Sequence, residues 1–342
     1  MIVRKTLSLK SMYEFAGHHI WWLTTWMSLV TIVYYCTGCK LILFPWLPLS
    51  LVGTAVAFYV GFKNNQSYGR LWEARRLWDE ITGQSRQLAV MVKNYRSEEA
   101  VNQDEGKSIR QQIIFRHIAY IYQLRIQLLE PAIWEHVSLH NVWRTGRHNR
   151  QRRARLIDMF KAELDEIANR NYLPAAEQLN IQGHSNIAVQ LLERQSQMVQ
   201  HLLDIKAINP IQQSNIQGAI NDLHSVQAKV ERIKGTPFPR KYASFSFLFV
   251  CIFVFLLPFG IIAEFNKIGG AAIWLSIPVG VIVSWVYLVL EMIGDYSENP
   301  FEGLHNDTPM LSICRSIEID LLGITGEINI PKPIQPKEFV LF

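Results

Sequence analysis

Three residues recur at four-residue steps along one apolar stretch: Thr54, Phe58 and Phe62. At that spacing they form one stripe on one face of an α-helix. In a monomer, such a stripe is packing. In a symmetric ring of copies it becomes a stack of apolar rings around an axis, and hydrophobic constrictions of that kind gate ion flow by dewetting. The same face continues through Asn65, Gln66 and Gly69, so an ion leaving the rings meets amide dipoles. No acid or base stands on the stripe, which points to a gate more than to a charge filter. Gly53, Ala55, Ala57 and Gly61 are small and let neighbouring helices approach closely.

Other reactive groups are sparse. His18 and His19 stand together before Trp21 and Trp22. A histidine pair can bind metal, and an aromatic belt at a membrane interface explains the same residues. Cys36 and Cys39 form a C-x-x-C with no second cysteine pair or histidine beside it, which weakens the redox and metal readings. Glu291 and Asp295 lie one helical turn apart; they pair with Arg70 or Arg75, cap helix packing, or face an ion path. The basic run 144–155, RTGRHNRQRRAR, has no interleaved aromatics to stack on bases. It reads as a solvated connection, or as a field that gathers anions at a pore mouth. No serine or cysteine stands in a nucleophile motif such as G-x-S-x-G, and no glycine-rich phosphate loop occurs. These observations argue against an enzyme and against a nucleic-acid partner.

The elements that must position these groups follow from the distribution of apolar residues over the 342 positions. About 20 apolar residues are needed to cross a bilayer. Segments 20–37, 41–62, 245–265 and 272–293 meet that requirement without a central charge. The polar region 63–241 has no spanning candidate. Its apolar residues recur at three- and four-residue steps, for example Ile109, Ile113, Ile114, Ile118 and Ile121, which predicts amphipathic helices. Asn209-Pro210 reads as a helix cap and first turn. No apolar-polar alternation supports a sheet.

Arg4, Lys5 and Lys10 precede the first span, and Arg70, Arg75, Arg76, Arg240 and Lys241 flank the polar region. Only Lys40 and Lys267 occupy the short turns. Basic residues collect on the cytoplasmic side, so both termini and the insert are expected there. The net charge of +5 suits that side. The basic start is followed by a polar-aromatic segment and a long apolar run without a cleavage site, unlike a secretory signal.

The stretch from Phe62 to Glu73, FKNNQSYGRLWE, resembles the signature after the second span of bacterial bestrophin homologues. Thr236-Pro237-Phe238-Pro239, Leu257-Pro258-Phe259-Gly260 and Glu298-Asn299-Pro300-Phe301 are similar to that family's cytosolic turn, its proline break and its Asn-Pro-Phe motif. The resemblance covers nearly the whole chain. It implies an all-α membrane protein with four transmembrane helices and a large helical cytosolic domain, assembled as a pentameric channel in the cell membrane. The implied division is 1–62 for the N-terminal segment and first two spans, 63–241 for the cytosolic domain, 242–295 for the last two spans, and 296–342 for a belt on the neighbouring subunit. Thr54, Phe58 and Phe62 take the three neck positions, with Thr54 making the outer ring wetter. Phe238, before Pro239, takes the cytosolic aperture. Animal bestrophins clasp calcium with an acidic run after Asn-Pro-Phe. Here Asn299, Glu302 and Asp307 are what remains, fewer than the roughly six oxygen ligands calcium takes, so no calcium activation and no cofactor are expected. The expected partners are small inorganic ions (chloride, or sodium in a cation-permeable version), membrane lipids and further copies of the chain. A membrane-anchored helical scaffold is the alternative from another class.

Overall fold

The structure is a computed structural model that describes residues 1–4, 6, 9–38, 43–97, 103–138, 145–181 and 183–342. Lys5, Cys39, Lys40, Leu41 and Arg144, which figure in the sequence reading, lie outside the described residues. In chain order the helices are α1 Leu9–Met12, α2 His18–Thr37, α3 Trp46–Asn94, α4 Gln103–Leu128, α5 Thr145–Met159, α6 Lys161–Asn169, α7 Ala175–Ile181, α8 Ile187–Asp204, α9 Pro210–Gly235, α10 Arg240–Ile268, α11 Ser276–Asp295 and α12 Met310–Thr325. Among the described residues, β structure is limited to the isolated bridges Ile2–Val340 and Lys337–Val340.

The chain divides into two compact units. Arg4–Arg70 with Phe238–Glu298 form one; Met1–Val3, Leu71–Pro237 and Asn299–Phe342 form the other. The first, apolar unit contains α2, the start of α3, α10 and α11. Its core joins Leu23 and Met27 of α2, Val56 and Val60 of α3, and Val250 and Leu257 of α10. Pro258 lies inside α10 and cannot donate to the preceding turn. Beside it the Phe259 carbonyl accepts from Phe44 N at 3.2 Å. Gly38, at φ 60°, closes α2 in a left-handed cap, a conformation that glycine adopts without strain.

Among the described residues, three helical stretches are long and apolar enough to cross a membrane: Trp46–Asn94, Arg240–Ile268 and Ala271–Asp295. The span expected at 20–37 forms α2 but falls outside this set, because tryptophan, tyrosine and threonine dilute its aliphatic content. The helix expected from residue 41 starts at Trp46 and continues without a break to Asn94. Only 28% of the apolar window of α3 and 33% of that of α11 is buried within the chain. The rest is apolar surface that requires lipid or another subunit.

The second unit is a helical body whose core carries the periodic residues. Ile113, Ile114, Ile118, Ile121 and Leu124 of α4 are all buried, as are Ile216, Ile220, Leu223, Val226 and Val230 of α9. Asn209 caps α9: its side chain accepts from Gln212 N while the Gln212 side chain accepts from Asn209 N, and Pro210 follows. This reciprocal arrangement satisfies two otherwise orphaned donors. His117 of α4 is buried between Ser85 Oγ at 2.8 Å and Gln195 Oε1 at 3.2 Å. Burial without an acidic neighbour lowers its pKa to about 4.

The compact unit that holds the helical body takes up α3 at Leu71, and Lys63 and Ser67 are buried in the apolar unit. The expected belt, 296–342, is for α12 part of this chain's own core. Leu311, Cys314, Ile317 and Leu321 are buried along one face of α12, and Cys314 Sγ lies 3.6 Å from the Ile121 carbonyl of α4.

Candidate functional site

Two opposed faces organise the apolar half of α3. Gly53, Val56, Val60, Lys63 and Ser67 are buried, at alternating steps of three and four. That spacing lays one seam along a helix. Thr54, Phe58 and Phe62, followed by Asn65, Gln66 and Gly69, are all exposed. Phe58 and Phe62 are each 64% exposed, a high value for phenylalanine in a 49-residue helix. The candidate pore residues therefore share the uncommitted side of the helix. The Thr54 hydroxyl donates to the Ser50 carbonyl at 2.9 Å, which ties its proton to the helix backbone. The hydroxyl lone pairs remain able to meet water.

The buried seam contains a charge that the sequence reading passed over. Lys63 is 1% exposed and its ammonium pairs with Glu291 of α11. The second oxygen of Glu291 accepts from Ser246 Oγ of α10 at 2.6 Å. At the next residue, Asn64 Nδ2 donates to the Leu290 carbonyl at 2.8 Å, and further up the helix Tyr287 OH donates to the Gly53 carbonyl at 3.0 Å. Of the roles open to Glu291, the structure shows an ion pair, with Lys63 as the partner in place of Arg70 or Arg75. By residue type alone, Lys63 is the first residue of the polar region 63–241. The available signal was its place in the 53–56–60–63–67 register.

Phe238, before Pro239, is 5% exposed, and its ring lies 6.0 Å from that of Tyr242, whose own ring lies 4.8 Å from that of Tyr59. Aromatic packing onto Tyr242 decides its direction.

The segment after Asn-Pro-Phe also faces inward. Glu302 is 1% exposed. It accepts from Asn299 Nδ2 at 2.8 Å and from the His136 backbone at 3.0 Å, and His136 Nδ1 lies 3.0 Å from the same oxygen. Asp307 accepts from Leu304 N at 2.9 Å. Burial, reinforced by the Glu302 charge, raises the Asp307 carboxyl to about 7. Asn299, Glu302 and Asp307 therefore lie close together, with protein donors already on Glu302 and Asp307. Among the described residues, no three His, Cys, Asp or Glu side chains come together in a metal-holding cluster. His18 and His19 stack with ring centroids 4.0 Å apart, and His19 Nδ1 accepts from Trp22 Nε1 at 2.9 Å.

Comparison with known proteins agrees with this architecture. The chain is 28% identical over 289 residues to the voltage-dependent anion channel-forming protein YneE of Escherichia coli (strain K12), covering 84% of this chain and 80% of that one. Against the protein of the same name from Salmonella typhi, identity is 28% over 303 residues, covering 86% and 82%. Its fold is similar to the crystal structure of a mutant bacterial bestrophin homologue from Klebsiella pneumoniae, with a TM-score of 0.72 at 22% identity, over 91% of this chain and 99% of that one. The family described as Bacterial/Fungal Bestrophin protein matches residues 18–323. The chain belongs to the bacterial and fungal bestrophin family.

Proposed function

We propose that this chain forms an anion-permeable channel, a homopentamer in the cell membrane with both termini on the cytoplasmic side. The observation that carries this reading is the exposed stripe on α3: Phe58 and Phe62 stand 64% exposed opposite a fully buried seam. That division leaves the Thr54–Phe62 side free to meet lipid or another copy of the chain. A ring of five, with Thr54, Phe58 and Phe62 inward, makes a neck that opens and closes by wetting. Asn65, Gln66 and Gly69 then line the path below it. The relatives named as anion channel-forming proteins, together with the basic flanks of the membrane segments, favour anions, with chloride the physiological candidate.

The stripe itself has no charge, and Lys63 is paired, so a cation-permeable version of the same fold is the second reading. Reconstitution of the full chain in planar bilayers under a potassium chloride gradient separates the two: the reversal potential approaches the chloride value for an anion channel and the potassium value for a cation channel. Phe58→Ala with Phe62→Ala widens the apolar rings and should raise the unitary current. A unitary current equal to that of the wild type would remove the neck assignment.

A further inference from the structure

Lys63 follows Phe62, the innermost residue of the candidate neck, and adjacent residues of a helix point about 100° apart. Whatever fixes the direction of Lys63 therefore fixes the direction of Phe62. The other buried residues of the seam, Val56 and Val60, pack through contacts that are non-directional and tolerate small rotations. The Lys63–Glu291 pair does not. Its carboxylate is held on both oxygens, by Lys63 of α3 and by Ser246 of α10, 2.6 Å away. Hydrogen bonds of this kind weaken steeply when their angles change. The next residue, Asn64, adds a bond to the Leu290 carbonyl at 2.8 Å, so two successive residues of α3 grip two successive residues of α11. A Cβ at Gly294 would come within 2.0 Å of Asn64 Oδ1, so the glycine leaves space for this grip.

An ion pair is an expensive way to hold two helices in an apolar unit. Taking both charges out of water offsets most of their attraction, and apolar residues of similar volume usually serve stability as well. What an ion pair supplies that apolar packing does not is a defined orientation.

We propose that Lys63 and Glu291 are positioning residues: they set the rotation of α3 and so aim the Phe62 ring along the ion path. Ser246 is the brace that keeps Glu291 in place. This inference rests on the channel reading above.

The test uses the full chain in planar bilayers and reads unitary current, a property of each open channel that does not depend on how much protein folds. Wild type, Lys63→Arg, Ser246→Ala and the double variant Lys63→Met/Glu291→Met are compared. The double variant keeps volume and removes both charges together, so it leaves no unpaired ion. Its unitary current should change by about twofold or more, because five rings turn within a constriction that conducts by wetting. Lys63→Arg retains the pair and should conduct like the wild type. Ser246→Ala should move the current in the same direction as the double variant by a smaller amount. It also decides the matter should the double variant fail to fold. Wild-type unitary current in the double variant, or in Ser246→Ala where only that variant is obtained, overturns the proposal. So does a Lys63→Arg channel as altered as the double variant. A merely structural pair would lower channel yield and leave unitary current unchanged. Absence of current from the wild type overturns the channel reading, and this inference with it.

Discussion

Replacing Asp307 by asparagine should change the sign of its effect on stability between mild acid and mild base. Asp307 is 4% exposed, and burial together with the Glu302 charge lifts its carboxyl from an ordinary 3.8 to about 7. A carboxyl raised on folding binds more protons in the folded state than in the unfolded one. Stability is then fully present below the unfolded value and is lost as pH rises toward the folded value. At 1.36 kcal/mol per pH unit, the interval from 3.8 to about 7 corresponds to about 4 kcal/mol at pH 8. At pH 5 only the part between 3.8 and 5 counts, about 1.6 kcal/mol. Asparagine keeps an oxygen to accept from Leu304 N, 2.9 Å away, and removes the titration. Its buried amide N–H groups cost about 1–3 kcal/mol if poorly paired. The variant should therefore be the more stable protein at pH 8 and near or below the wild type at pH 5. The advantage should grow by about 2–3 kcal/mol across that range. Urea unfolding of the purified protein in detergent, followed by far-ultraviolet circular dichroism at pH 5 and pH 8, measures it. An offset that stays constant with pH, or shrinks as pH rises, would refute the reasoning.

His117 should act in the opposite sense. A base lowered to about 4 by burial contributes stability above its ordinary 6.5 that is lost as pH falls through that interval, about 3 kcal/mol in all. His117→Gln, which can still bond Ser85 and Gln195, should flatten the acid arm of the stability–pH curve between pH 6.5 and 4; an unchanged arm would place that arm elsewhere. Gly294→Ala forces a Cβ to within 2.0 Å of Asn64 Oδ1 and should lower stability by about 1–3 kcal/mol. Gly83→Ala, in the part of α3 that belongs to the helical body, meets nothing within 4 Å and should raise it by about 0.5–1 kcal/mol. Thermal midpoints of the two variants side by side check both.

The helical body was readable because each of its helices buries a face whose period is visible in residue types. Ile113 and Ile118 of α4, and Ile220 and Val230 of α9, fell where the three-four spacing put them, and the Asn209-Pro210 cap formed as read. The shared face of Thr54, Phe58 and Phe62 follows from the same spacing, and it lies opposite the buried seam of α3. Lys63 was missed because residue type and register disagreed there. A lysine after an apolar run marks the return to water by type, while its register placed it inside. Glu291 was recognised as unusual, but its partner depended on which face of α3 meets α11, which the sequence of either helix alone does not specify. The packing of the Phe238 ring on Tyr242 was not legible, because the proline after it constrains the backbone and leaves the ring direction to its neighbours. Along α3 the hydropathy changes at Phe62, while the packing passes from one compact unit to the other at Leu71.

The two faces of α3 wind in opposite directions. At about 100° per residue, the eight steps from Thr54 to Phe62 carry that stripe about 80° forward around the helix. The fourteen steps from Gly53 to Ser67 carry the buried seam about 40° backward. A straight upright rod cannot present both lines squarely, one to its neighbours and the other to a central axis. The helix has to lean and coil to do so. In the proposed ring, leaning would spread the three candidate levels over different radii, so Thr54, Phe58 and Phe62 would make a taper in place of a uniform tube, its narrowest level set by the angle of lean. A few degrees of tilt, with no side chain changing rotamer, would then be enough to move that level from one ring to the next.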